Sequence, residues 1–117
     1  MSVGIHAFGG YVPIQRLQRK AIAEANSWFN PALRSLGQGE RSICNWDEDA
    51  ITMAVEAARD ALGGTGPKGI DGIYFASTSL PFQDRQNAGI IAEALNAGTN
   101  ILTMDVTGSQ RAGTTAL

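Results

Sequence analysis

Residues 101–115, which read ILTMDVTGSQRAGTT, are the most informative stretch of this sequence. Its apolar run, 101–106, predicts a buried strand, and the turn behind it leads into the start of a helix. A helix start presents unpaired backbone N–H groups and a partial positive charge, which stabilise an anionic nucleophile or a developing oxyanion. The exposed position of this turn holds Gln110, whose amide is no nucleophile.

Helices and strands alternate along the rest of the chain. The pattern predicts a strand over 3–12, a helix over 15–26, an irregular segment over 28–45, a helix capped by Asp47 or Asp49 and stopped at 63–64, a strand over 70–76, a helix over 84–97, a strand over 101–106 and a last helix from 112. This order predicts an α/β layered fold with a mainly parallel sheet. Ligands in such sheets bind at the carboxyl ends of strands, here 77–79 and 107–110.

Composition narrows the class of protein. The 117 residues are 44% hydrophobic and 17% charged, with a formal net charge of -2, as in ordinary soluble domains. That charge gives no basis for binding nucleic acid or an anionic membrane, and no apolar run reaches the roughly 20 residues of a membrane span. A single cysteine, Cys44, rules out an intrachain disulfide and fits a cytoplasmic location.

The last predicted helix is short. It spans about two turns, too few to be stable alone or to cover a sheet. We therefore expect residues 1–117 to be an N-terminal fragment of a longer protein, one domain or less in size.

Other motifs carry weaker chemical signals. Residues 64–69 match G-x-G-x-x-G, but they follow a helix and precede a strand, the reverse of a dinucleotide-binding site. The acidic run 47–49 is interpreted as helix capping rather than a metal site, so no metal is expected. Ser109 lacks the G-x-S-x-G spacing of a hydrolase nucleophile, and Cys44 has no evident basic partner.

A colinear set of short motifs resembles a known family. The set comprises 9–13 (GGYVP), 39–41 (GER), 47–49 (DED), 52–54 (TMA), 56–58 (EAA), 74–77 (YFAS) and 112–114 (AGT). Together they resemble the N-terminal part of hydroxymethylglutaryl-CoA synthases, within the thiolase superfamily and beside ketoacyl-carrier-protein synthase III. The resemblance implies a thiolase-like layered fold of two similar α/β halves, of which this chain is part of the first. It also implies a dimer or a heteromer, an acyl-CoA substrate and no tightly bound cofactor.

The same resemblance locates the reacting residues. In the family a cysteine after the buried strand takes the acyl group, and a glutamate after an earlier strand acts as acid and base. Those positions fall on Gln110 and Thr78, and neighbouring Ser79, Ser109 and Arg111 are assigned to substrate binding. Glutamine cannot form a thioester, and threonine does not exchange protons near neutral pH.

Three functions remain open. One is an enzyme that decarboxylates or condenses an acyl-CoA thioester without a cysteine intermediate, similar to loading ketosynthases that carry Gln at this position. Another is a non-catalytic subunit that partners an intact homologue. The third is an acyl-CoA synthase that uses another nucleophile, such as Ser109, or whose Gln110 is engineered.

Overall fold

The computed structural model describes residues 3–117 and divides them into two units, residues 12–47 and residues 3–11 with 48–117. The elements are β1 (Arg16–Gln18), α1 (Arg19–Asn26), a 3-10 helix (Pro31–Leu36), β2 (Glu40–Ser42), α2 (Ala50–Leu62), β3 (Gly72–Ala76), α3 (Asn87–Ala94), β4 (Leu102–Val106) and α4 (Ala112–Ala116). Within residues 3–117, none of these helices has the length and apolar character that crossing a membrane requires.

The unit of residues 12–47 is built on a short antiparallel pair. Strand β1 pairs with β2, with Leu17 opposite Arg41. Helix α1 packs against the 3-10 helix and buries Ala23. Asn30 caps the 3-10 helix, because its side-chain oxygen accepts a hydrogen bond of 3.1 Å from the Ala32 N–H.

Helix α2 begins and ends where its local sequence predicts. The Asp49 carboxylate accepts from the Thr52 N–H at 2.9 Å, and the Thr52 hydroxyl accepts from the Asp49 N–H at 2.8 Å, a capping box. Gly63 ends the helix with φ of 54°, a left-handed conformation that glycine adopts without steric cost. Asp49, one of the two predicted caps, is thus confirmed.

The larger unit, residues 3–11 with 48–117, is organised around a parallel strand pair. Strands β3 and β4 pair in parallel, with Phe75 opposite Asp105, and α3 connects them along the chain. The core comes from α2, β3 and the α3 region, and consists of Ile51, Val55, Phe75, Ala88, Ile91 and Leu95. Burying such apolar side chains is the main favourable contribution to folding. The α/β class is confirmed, with the parallel pairing in this unit and the antiparallel one in the other.

Several predicted boundaries are wrong. No strand forms over 3–12, whose residues up to 10 are exposed, because a strand requires a hydrogen-bonded neighbour and the described pairings are β1–β2 and β3–β4. The predicted helix over 15–26 starts only at Arg19, since 16–18 join β2 as a strand, and the segment 28–45 contains the 3-10 helix and β2. The helix predicted over 84–97 is shorter and starts at Asn87.

Candidate functional site

The carboxyl ends of β3 and β4 lie at one edge of the sheet. Ala76 is opposite Val106, and the next residue, Ser77, donates its N–H to the Val106 carbonyl at 3.1 Å. The segments 77–79 and 107–110 therefore leave the sheet from the same edge, as the parallel arrangement predicts. Thr78 and Gln110, far apart in sequence, each lie in one of these segments.

The segment after β3 is a local turn. The Ser77 hydroxyl accepts a hydrogen bond of 3.1 Å from the Ser79 N–H, and the two hydroxyls lie 3.3 Å apart. Thr78 and Ser79 are both exposed, while Ser77 is half-buried. A hydroxyl-to-backbone bond of this kind holds a turn without help from the rest of the fold.

The turn around Gln110 is also closed by its own residues. Gly108 has φ of 83°, and the Ser109 hydroxyl accepts a bond of 3.1 Å from the Arg111 N–H. The Ser109 carbonyl accepts from the Ala112 N–H at 3.0 Å, where α4 starts. Gln110 and Arg111 are exposed, and within residues 3–117 the Gln110 side chain makes no hydrogen bond.

A cavity of about 400 Å³ opens beside the β3 turn. Its lining combines apolar and polar side chains, namely Thr78, Leu80, Phe82, Gln83, Arg85, Asp105 and Thr107. The Arg85 guanidinium lies 5.3 Å above the centre of the Phe82 ring, within the range of a cation–π contact. The cavity thus joins the turn of Thr78 to the end of β4, whereas Gln110 does not line it.

Asp105 is a structural anion at this edge. One carboxylate oxygen accepts from the Asn87 N–H at 2.7 Å and the Asn87 side-chain amide at 2.9 Å, and the other accepts from the Ala88 N–H at 2.7 Å. Burial raises the pKa of Asp105, but the hydrogen bonds from the Asn87 side chain and from the N–H groups of Asn87 and Ala88 outweigh it, so the pKa lies below its usual 3.8. Asp105 is therefore ionised at neutral pH and is a poor proton donor there.

Sequence reasoning missed the role of Asn87 and Asp105. Asn87 is completely buried, the one fully buried polar side chain among residues 3–117. The available signal was a charged residue at the fourth position of an otherwise uncharged strand. A half-buried carboxylate at this position requires hydrogen-bond donors, and the residues at the start of α3 supply them.

The predicted substrate-binding residues lie beside the two predicted catalytic positions, but the geometry assigns them no role. Ser79 lies beside Thr78, and Ser109 and Arg111 flank Gln110, so all five lie at the same sheet edge. Their roles in binding and catalysis stay predictions. Within residues 3–117 no three side chains of the metal-ligating types group together.

Known proteins resemble this chain in sequence. A hydroxymethylglutaryl-CoA synthase of Aeropyrum pernix is 40% identical over 96 residues, and that of Methanocella arvoryzae is 38% identical over 121 residues. The matches cover 80% and 100% of this chain. This chain is a homologue of the hydroxymethylglutaryl-CoA synthases. This chain spans only 27% and 34% of the length of those two relatives. No protein-family model matches it.

Solved structures show the fold of this synthase homologue. A variant of OleA from Xanthomonas campestris superposes with a TM-score of 0.75 at 23% identity, covering 87% of this chain and 32% of that one. A 3-oxoacyl-(acyl-carrier protein) synthase from Burkholderia xenovorans gives a TM-score of 0.70 at 18% identity, covering 86% and 31%. The α/β fold of this chain is therefore thiolase-like, which confirms the predicted thiolase-like α/β class.

Proposed function

We propose that this chain is part of an enzyme that acts on an acyl-CoA thioester without a cysteine acyl intermediate. The reaction is carbon–carbon bond chemistry, most simply decarboxylation of a malonyl thioester. Coenzyme A enters as part of the substrate, and no tightly bound cofactor is required. The observation that carries the proposal is the shared sheet edge of Thr78 and Gln110, in a chain whose relatives are named as synthases of a CoA thioester.

Gln110 supplies hydrogen-bond donors in this proposal. Its side chain is exposed and makes no hydrogen bond within residues 3–117, so its amide N–H groups are available to a ligand. A primary amide donates two hydrogen bonds and carries no charge. Such a donor stabilises a thioester oxygen that gains negative charge, which is the task of an oxyanion hole.

The proposed reaction balances without an oxidant or a reductant. The bond between the α-carbon and the carboxylate of the malonyl group breaks, and CO₂ leaves. The electron pair passes into the thioester carbonyl as an enolate, whose oxygen accepts a hydrogen bond from Gln110. The α-carbon then takes a proton from water and gives the acetyl thioester. Thr78, Ser79 and Ser109 offer hydroxyls to the substrate, and Arg111 offers a cation to the phosphates of coenzyme A.

The test is a mass measurement on the full-length protein that contains this chain, and on its variants. The protein is incubated separately with acetyl-CoA and malonyl-CoA, and both the intact protein mass and the thioester products are measured. We expect an unmodified protein and conversion of malonyl-CoA to acetyl-CoA. Gln110→Ala removes one oxyanion donor and is expected to slow turnover roughly 100-fold or more. Gln38→Ala, an exposed glutamine in the other unit, is the matched control and leaves the rate unchanged.

A second candidate function is a non-catalytic subunit of an intact relative. Neither Thr78 nor Gln110 titrates near neutral pH, and the hydrogen bonds on Asp105 keep it ionised, which favours this candidate. The result that would select the non-catalytic subunit is an unmodified protein that leaves both thioesters intact. Gln110→Ala would then give the same result as the unaltered protein. In that case the chain shapes the pocket of a partner within a heteromer.

The same measurement detects another nucleophile. A stable acyl adduct on the unaltered protein would overturn the decarboxylase and show a synthase that acylates elsewhere. Ser109 is the nearest alternative, although its hydroxyl oxygen already accepts a bond from the Arg111 N–H. Gln110→Cys tests whether the pocket still supports acylation, since it restores a thiol at the position that the family resemblance assigns to the nucleophile.

The proposal extends to the assembly and its location. We place residues 1–117 in the first half of a thiolase-like protein, in keeping with their span of about a third of the relatives' length. The complete protein is proposed to form a homodimer, or a heteromer with a related subunit, in the cytoplasm. Sedimentation analysis of the full-length protein tests the assembly.

A further inference from the structure

The side chain of Asn87 joins three segments of the larger unit. Its amide nitrogen donates to the Phe82 carbonyl at 2.9 Å and to the Asp105 carboxylate at 2.9 Å. Its amide oxygen accepts from the Phe82 N–H at 3.1 Å. The loop 77–86, the start of α3 and the end of β4 therefore converge on one buried amide.

The pairing with Phe82 imitates a strand ladder. A backbone residue in a ladder offers one donor and one acceptor, and the Asn87 amide offers the same pair to both polar groups of Phe82. The remaining N–H of the amide is directed to the Asp105 carboxylate. Aspartate would lack the donors, alanine would lack every polar atom, and glutamine would place them one methylene too far.

Asp105 completes the arrangement from the sheet. Its carboxylate accepts the N–H groups of Asn87 and Ala88, which are unpaired donors at the start of α3. Asp105 is next to last in β4, two residues before the segment that holds Gln110. Hydrogen bonds to a charged acceptor in a half-buried place are about twice as strong as neutral ones.

We propose that Asn87 and Asp105 act together as a clamp that positions the candidate site. The clamp holds the loop that carries Thr78 against the strand that leads to Gln110, and so fixes the shape of the cavity beside them. Its contribution to chemistry rests on the proposed function. Its contribution to loop order does not. Asn87 and Asp105 are positioning residues, since their polar atoms are directed to each other and to the backbone.

The test compares Asn87→Ala with Gln86→Ala in the full chain. Gln86, the last residue of that loop, also bonds to β4, donating to the Thr103 carbonyl at 2.8 Å, but Asn87 and not Gln86 holds the backbone of Phe82. Hydrogen exchange is followed by mass spectrometry. In Asn87→Ala the loop amides are expected to exchange roughly tenfold or more faster while those of α2 stay unchanged. In Gln86→Ala the amides of residues 77–83, which Gln86 does not contact through a hydrogen bond, are expected to exchange as in the unaltered protein.

Two results would overturn the clamp. One is loop exchange that matches Gln86→Ala, and the other is an equal rise in the loop and in α2, which marks general destabilisation. Should Asn87→Ala fail to fold, the unaltered chain still decides the question. Its Phe82 N–H is expected to exchange about 100-fold more slowly than the Gln83 N–H next to it. Equal rates would refute the bond to Asn87.

Kinetics separates positioning from stability. If malonyl-CoA is turned over, Asn87→Ala is expected to lower kcat about 10- to 100-fold with little change in KM, because misplacement affects the transition state more than binding. An unchanged kcat in the folded variant would contradict a positioning role. If the unaltered protein turns over neither thioester, the proposed function fails, and the exchange data alone judge the clamp.

Discussion

Replacing Asp105 with asparagine tests whether the anion at the end of β4 holds the larger unit together. The carboxylate accepts three hydrogen bonds, at 2.7, 2.9 and 2.7 Å, from two N–H groups and one amide. Asparagine has nearly the same shape but only one oxygen. In either orientation at least one of the three donors then faces an NH₂ group, which cannot accept.

The cost follows from the bonds that are lost. A hydrogen bond to a charged group contributes about 1.5–3 kcal/mol net, and a buried donor left without an acceptor costs about 1–3 kcal/mol. Asn87 is fully buried, so water cannot replace the lost partner. We expect Asp105→Asn to lower the free energy of unfolding by about 2–4 kcal/mol, a large share of the roughly 5–15 kcal/mol typical of a folded domain.

Urea unfolding of the full chain at pH 7 measures this change. Asp84→Asn is the matched control, because Asp84 is exposed and lies in the loop just before α3. The control should stay within about 0.5 kcal/mol of the unaltered protein. An Asp105→Asn variant that is equally stable would refute the argument that the carboxylate is needed.

The same pair of proteins gives a pH dependence. Because hydrogen bonds hold the pKa of Asp105 below its usual 3.8, the folded chain releases this proton more readily than the unfolded one. The stabilisation is fully present above the usual value, which applies to the unfolded chain, and is lost as the pH falls through the lower, folded pKa. The stability difference between the two proteins should therefore be constant from pH 5 to 8, as an approximate range, and shrink below about pH 4. A stability difference that grows as the pH falls would contradict the lowered pKa of Asp105.

Two further changes test the packing of the larger unit. A Cβ added at Gly9 would clash with the backbone nitrogen of Ala61 in α2. Gly9→Ala should therefore displace segment 3–11 and speed exchange of the Gly10 N–H, which donates to Asp60 at 2.9 Å. Gly4→Ala, whose Cβ meets nothing within 4 Å, is the control, and equal exchange in the two variants would refute the clash. Asp49→Ala removes the cap of α2 and should cost about 1 kcal/mol in urea unfolding, and an unchanged midpoint would show that the cap is dispensable.

Elements with local signals could be predicted from neighbouring residues alone. Helix α2 starts at a capping pair three residues apart and ends at a glycine with positive φ, so both ends follow from neighbouring residues. The apolar runs at β3 and β4 predicted the strands, with boundaries shifted by one or two residues. Because parallel strands share a carboxyl edge, the sequence also predicted that Thr78 and Gln110 belong to one edge.

Which segments pair and which polar groups are buried depends on contacts that form when the chain folds. Segment 3–12 alternates like a strand but finds no partner among the described strands, whereas 16–18 and 40–42 pair across more than twenty residues. Asn87 is buried because a carboxylate 18 residues later accepts its N–H and amide groups. The free energy of such contacts depends on residues that meet only after folding, so no local pattern along the chain encodes them.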